Sequence, residues 1–105
     1  MLRKVMTISL IVLFGVMATA AFADGAATYK AKCALCHGAN GGGDTPSGKA
    51  MKVKDLRSDA VQKQTDVELT KTISGGKGKM PAYGKQLSEP DIAAVIAFIR
   101  TLKAK

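Results

Sequence analysis

Cys33, Cys36 and His37 are the chain's entire stock of thiol and imidazole groups, and they fall within five consecutive residues, "CALCH". Four chemistries use such a cluster. A structural zinc site asks for four ligands, usually as two separated pairs, and here Cys36 and His37 are adjacent with no second cluster elsewhere. A redox dithiol of the thioredoxin type sits beside a βαβ pattern, and no stretch of this chain alternates convincingly with period two. A disulfide between cysteines this close would close a very short loop and constrain the unfolded chain little. The fourth is covalent attachment of a c-type haem, for which C-x-x-C-H is the signature. Two thiols three positions apart on a helical turn can each reach one vinyl group of the same porphyrin. The next residue, His37, then offers an imidazole nitrogen to the iron. One haem c per chain, held by thioethers to Cys33 and Cys36 and ligated by His37, is the expectation.

A low-spin haem takes a second axial ligand. Since His37 is the single histidine, that ligand is not another imidazole of the same chain. Met51 and Met80 are the methionines outside the first 23 residues. Met80 lies in "GGKGKMPAYG", where glycines let the backbone bend and Pro81 stiffens the step after the sulfur. A methionine is ordinarily core filler, and this setting is what favours Met80 as the ligand. Met51, in "GKAMKVKDL", is the residual candidate, its ordinary role being an apolar loop residue closing over the haem.

The elements that position these residues read as all-α. A first helix starts at the N-cap Asp24 and runs through "GAATYKAKCA". A second follows Thr65, with Glu68 placed for a capping box, Leu69 and Ile73 on one face, and Gly75-Gly76 as the stop. The third opens at Ser88-Glu89-Pro90-Asp91, and Ile92, Val95, Ile96 and Ile99 recur at helical spacing, with Phe98 and Leu102 widening the stripe. A short turn is expected over Ser58 to Gln62. The segments 38–54 and 75–87 are rich in glycine and read as irregular loops that need something to wrap around.

Residues 1–23 read as a secretory signal peptide: Arg3 and Lys4, an apolar run, then "ATAAFA" with Ala21 and Ala23 as the cleavage signal. A retained anchor is the bland alternative, but the run spans a bilayer only if the cleavage region is counted in. Residues 24–105 are then one domain with no lasting membrane insertion. Of 16 Lys and Arg, two lie in the leader, which leaves 14 against 8 Asp and Glu, a net +6. Aromatic residues there are only Tyr29, Tyr83 and Phe98. A domain this small is near the lower limit for a self-sufficient core, so a cofactor is expected to fill the middle.

"ATYKAKCALCHGANGGGDTP", "GKGKMPAYG" and "LSEPDIAAVIAFIRTL", in this order, resemble a small class I cytochrome c of bacterial or algal type across essentially all of 24–105. The resemblance implies the cytochrome c-like fold, three main helices plus short turns wrapped around one covalently bound haem. It implies that Gly25 and Tyr29 on the first helix pack against Val95 and Phe98 on the last. It also gives the Pro46 carbonyl as acceptor for the second ring nitrogen of His37, a bond that fixes the ring. The tryptophan that holds a haem propionate in mitochondrial relatives has no counterpart here.

The expected activity is electron carriage rather than enzymatic turnover, in the periplasm or an equivalent exported compartment such as a thylakoid lumen. The alternative is a haem peroxidase-type or gas-sensing cytochrome with a labile Met ligand. Lys30, Lys32, Lys77, Lys79 and Lys85 flank the haem motif and the Met80 loop. They are expected to steer redox protein partners with acidic docking surfaces, although a merely solvated lysine face is the simpler account. Nucleic acid is not expected for an exported chain without interleaved aromatics, and a monomer is. "GDTPSGKA" nearly matches a phosphate-binding loop, but Ala50 stands where a hydroxyl belongs and no strand precedes it.

Overall fold

The computed structural model describes residues 24–103, in six helices with no strand among them: α1 Gly25–Lys32, α2 Ala34–His37, α3 Pro46–Met51, α4 Asp59–Gln62, α5 Asp66–Gly75 and α6 Glu89–Thr101. The signal peptide read over 1–23 lies outside the described residues. No helix among those described is long and apolar enough to cross a membrane.

The three helices read from the sequence are each capped by the side chain expected there. Asp24 accepts from the Ala27 N–H, Thr65 from Glu68 and Ser88 from Asp91. The capping box is complete at Ser88, where Asp91 answers with its own carboxylate. At Thr65 only the hydroxyl's half is made. The first helix differs from the sequence reading. It breaks at Cys33, which sits at φ −115° and ψ −34°, and resumes as the single turn α2. A further helix, α3, occupies part of the segment read as loop. Thr45 caps it and Pro46 supplies a first residue with φ already set. The turn expected near Ser58 is α4, capped by Ser58 itself.

The apolar stripe of α6 is buried as its spacing requires: Ile92, Val95, Ile96 and Ile99 all belong to the core. They meet Leu69 and Ile73 of α5, Tyr29 of α1, Val61 of α4, and Leu56 and Leu87 from the connecting segments. The most extensive helix contact is α1 on α6. It depends on Gly25, where a Cβ would fall on the Ala94 carbonyl, so any side chain there would push the two helices apart. One turn further along, the Tyr29 and Phe98 rings pack with centroids 4.9 Å apart at a 49° tilt, within the range favoured by aromatic pairs.

Two polar side chains tie the middle of the chain to the end of α6. Gln62 Nε2 donates to the Leu56 carbonyl at 2.8 Å and the Ile99 carbonyl at 3.0 Å. Arg100 reaches back to the Gln62 and Gln64 carbonyls at 2.7 and 2.6 Å and to the Asp66 carboxylate at 2.9 Å. The connection between α4 and α5 is thereby pinned to the end of α6.

Candidate functional site

The first wall of the site is built at the α1–α2 junction. The Cys33 carbonyl accepts the His37 N–H at 2.9 Å and the Cys36 N–H at 3.2 Å, and this one turn presents Cys33, Cys36 and His37 to a common cavity. Hydrogen bonds from elsewhere hold the turn. The Tyr29 hydroxyl donates to the Gly38 carbonyl at 2.7 Å, and the Thr45 hydroxyl to the Cys36 carbonyl at 2.9 Å.

His37 Nδ1 lies 3.1 Å from the Lys54 carbonyl. A carbonyl only accepts, so in this bond Nδ1 carries the proton and Nε2 keeps its lone pair. Burial pushes the imidazole below the ordinary histidine range, and the hydrogen bond with Lys54 opposes that shift without cancelling it. The neutral imidazole is the form that binds metals. The resemblance to class I cytochromes c implies Pro46 as the Nδ1 acceptor; here Pro46 opens α3, and the Lys54 carbonyl faces the ring nitrogen. The neighbouring Thr45 is already committed to the Cys36 carbonyl and the Gly48 N–H. Burial, and secondarily the neighbouring Cys36, push the Cys33 thiol above its usual range.

A second wall descends from the end of α5. Lys77 and Met80 exchange main-chain hydrogen bonds at 3.1 and 2.9 Å, closing a two-residue turn. The turn folds back over Gly76, which lies at φ +73° and where a Cβ would come within 2.7 Å of the Met80 carbonyl. Both the positive φ and the close approach select glycine. Beyond Met80, the Tyr83 and Gly84 N–H groups donate to the Ile73 and Ser74 carbonyls at 2.8 and 3.1 Å, securing the segment to α5.

Between the walls lies a cavity of about 280 Å³ whose lining includes Cys33, Cys36, His37, Met51, Met80 and Tyr83. An adjoining cavity of about 100 Å³ shares Cys33, His37 and Met80 and runs inward to Leu69, Ile73, Val95 and Ile99. The larger one is near the lower end of ligand-sized cavities, which run from about 300 to 1,000 Å³. Lys32, Lys52, Lys54, Lys77 and Lys79 also line it, and no Asp or Glu does. Soft sulfurs, a neutral imidazole, apolar depth and a cationic mouth fit a flat iron porphyrin with two propionates. Among the described residues, no three His, Cys, Asp or Glu side chains gather to hold a bare metal ion. The structure thus brings Cys33, Cys36, His37 and Met80 to one cavity, with Met51 beside them, and leaves Pro46 out of its lining. Lys54 and Tyr83 were not singled out by the sequence for this site. Their partners lie 17 and 51 residues away in the chain, so no local pattern marks them.

The chain is similar to known proteins in sequence and in fold. Residues 20–99 match the family model described as cytochrome c oxidase, cbb3-type, subunit III. A cytochrome c6 of Picosynechococcus sp. is 35% identical over 93% of this chain and 92% of its own. A cytochrome c6 of Synechococcus sp. is 32% identical over 99% and 94%. The cbb3-type oxidase subunit FixP of Azorhizobium caulinodans is 36% identical over 80% of this chain but only 28% of its own length. Among solved structures, the c-type cytochrome KustC0563 superposes with a TM-score of 0.72 over 77% of this chain and 99% of its own. At 24% identity it speaks for the fold alone. Cytochrome c6C of Synechococcus sp. superposes with a TM-score of 0.59 at 33% identity, over 74% and 92%.

Proposed function

The chain belongs to the c-type cytochromes, as a small class I member with the all-α cytochrome c fold, and from that premise we propose a monohaem electron carrier of the periplasm or a similar exported compartment. Membership of this family implies a covalently bound haem c, and the cytochromes c6 to which the chain is similar point to a small electron-carrier cytochrome. The finer assignment gives the thioethers to Cys33 and Cys36, the axial nitrogen to His37 and the axial sulfur to Met80. One observation carries it: these four side chains, from segments far apart in sequence, line one cavity.

The bound haem supplies reversible one-electron chemistry at iron. His37 offers Nε2, with its Nδ1 held by a main-chain carbonyl; the Lys54 carbonyl is the partner present, and Pro46 is the acceptor that the family pattern supplies. Met80 offers a soft, neutral thioether, and a Met/His pair raises the reduction potential. Leu69, Ile73, Val95 and Ile99 keep water from the inner end of the cleft. Their low polarity disfavours the additional positive charge of the oxidised iron. Were His37 and Met80 both to hold the iron, no site on it would be left open for a small substrate, which is why a carrier is proposed and not an enzyme.

The exposed residues around the cleft suit docking. Lys30, Lys32, Lys77, Lys79 and Lys85 are exposed, and Leu35, between the two cysteines, stays 76% exposed. We assign to this rim the steering of an acidic redox partner. Electron-transfer rates with the natural partner should then fall steeply with added salt; a flat response would reduce the rim to a solvated surface.

The deciding experiment is a spectrum with a mass. Material from a host competent in cytochrome maturation should carry one covalent haem, with a six-coordinate low-spin iron and an iron–sulfur charge-transfer band. A colourless product at the bare polypeptide mass would refute the reading. Ready binding of carbon monoxide to the reduced protein would instead indicate a peroxidase-type or gas-sensing role.

A further inference from the structure

Tyr83 connects the two walls of the cleft. Its hydroxyl donates to the Lys32 carbonyl at 3.1 Å, and Lys32 ends α1 immediately before Cys33. Its own N–H is held by the Ile73 carbonyl at 2.8 Å. Among the described residues, the Tyr83–Lys32 bond is the one hydrogen bond that joins residues 76–87 to residues 24–54. The ring lines the larger cavity and packs on the core. Phenylalanine would provide that packing equally well, so the hydroxyl's separate contribution is the tie to Lys32.

We infer that the Tyr83 hydroxyl is a positioning group that latches the Met80 segment against the wall carrying the cysteines and His37. The inference rests on Met80 as the axial ligand. The sulfur can clear the sixth position lastingly when the Met80 segment swings away from the α1–α2 wall, beyond what side-chain rotation alone gives. Tyr83 is three residues from Met80, with Pro81 stiffening the interval, so that movement strains the bond to Lys32. The latch therefore slows the opening of the sixth coordination position. Because the acceptor is a main-chain carbonyl, the lysine side chain is not needed.

The test uses the haem-loaded, oxidised protein with excess imidazole as the incoming ligand, following the loss of the iron–sulfur charge-transfer band. At saturating imidazole the rate reports how often Met80 leaves. Tyr83→Phe should raise that rate about two- to tenfold, the range a typical hydrogen bond supports. Arg100→Met, which loosens the far end of the fold, should stay within about twofold of wild type. A Tyr83→Phe protein exchanging at the wild-type rate would overturn the latch. So would an equal acceleration in Arg100→Met, since the effect would then follow global stability. A wild-type protein that lacks the band altogether would sink the Met80 assignment, and the latch with it; the two failures are told apart by the band before any imidazole is added.

Discussion

The Tyr29 hydroxyl donates to the Gly38 carbonyl at 2.7 Å, tying the middle of α1 to the residue that follows His37. Both partners are buried, so the bond is shielded from competing water. The same carbonyl also accepts the Gly41 N–H at 3.2 Å, so Tyr29→Phe removes one of its two donors and should cost about 0.5–1.5 kcal/mol in denaturant unfolding of the haem-loaded protein.

The same bond carries a pH signature. Burial, and secondarily charge at Cys33, push the Tyr29 phenol up to about 12 against an ordinary value of 10. Thioether formation would remove the charge at Cys33 and leave burial, the larger cause, in place. The folded chain thus favours the neutral phenol, and the associated stability is intact below about pH 10. It is lost as pH rises toward 12, because the unfolded chain ionises first. The stability gap between wild type and Tyr29→Phe should narrow across that window, and a gap that stays constant would contradict the assignment.

Arg100 and Asp66 make a surface ion pair, but the pair is not the main stabilising contribution. Asp66 is 75% exposed on its side chain, and exposed pairs are worth at most about 1 kcal/mol. The two carbonyls of Gln62 and Gln64 lose a charged donor if Arg100 is replaced. Arg100→Met should therefore cost about 1.5–3 kcal/mol and Asp66→Asn less than about 1 kcal/mol in the same unfolding assay. Equal effects would mean that the ion pair matters more than the carbonyl contacts.

The two methionines of the cleft make opposite predictions. Met80→Ala should abolish the iron–sulfur band, open the iron to added ligands and lower the reduction potential. Met51→Ala should retain the band and the potential, with at most a small packing loss. Potentiometry and absorption spectra of the two variants decide, and the reverse pattern would transfer the ligand role to Met51.

Removing both thiols tests whether the cofactor completes the core. In Cys33→Ser/Cys36→Ser the cleft keeps its apolar lining but loses its covalent occupant. A domain this small has little apolar area to spare. Far-UV circular dichroism should show a largely unfolded chain; native-like helix content with cooperative melting would show that the polypeptide suffices alone.

Much of this architecture can be read from residue order, and what cannot has identifiable causes. Helix α6 is legible because Ser88 caps it and Ile92, Val95, Ile96 and Ile99 recur at helical spacing. Helix α3 is not, since six residues containing a proline and a glycine show no periodic face; its signal was the pair Thr45-Pro46, a cap followed by a preset φ. The break at Cys33 has no sequence marker, because it reflects how α2 is held by Tyr29 and Thr45 from other parts of the chain. Gathering Cys33, Cys36, His37 and Met80 could be anticipated from motifs. The acceptor for His37 could not: Lys54 contributes a main-chain carbonyl, and every residue has one.

The seating of Gly25 on Ala94 also fixes an order of events in the life of the molecule. Helix α1 finds its main partner in α6, the last helix of the fold. In a chain exported with its leader first, "CALCH" enters the new compartment before α6 does. Grafting of the porphyrin can act on an open strand, and only the arrival of the final helix shuts the structure around it.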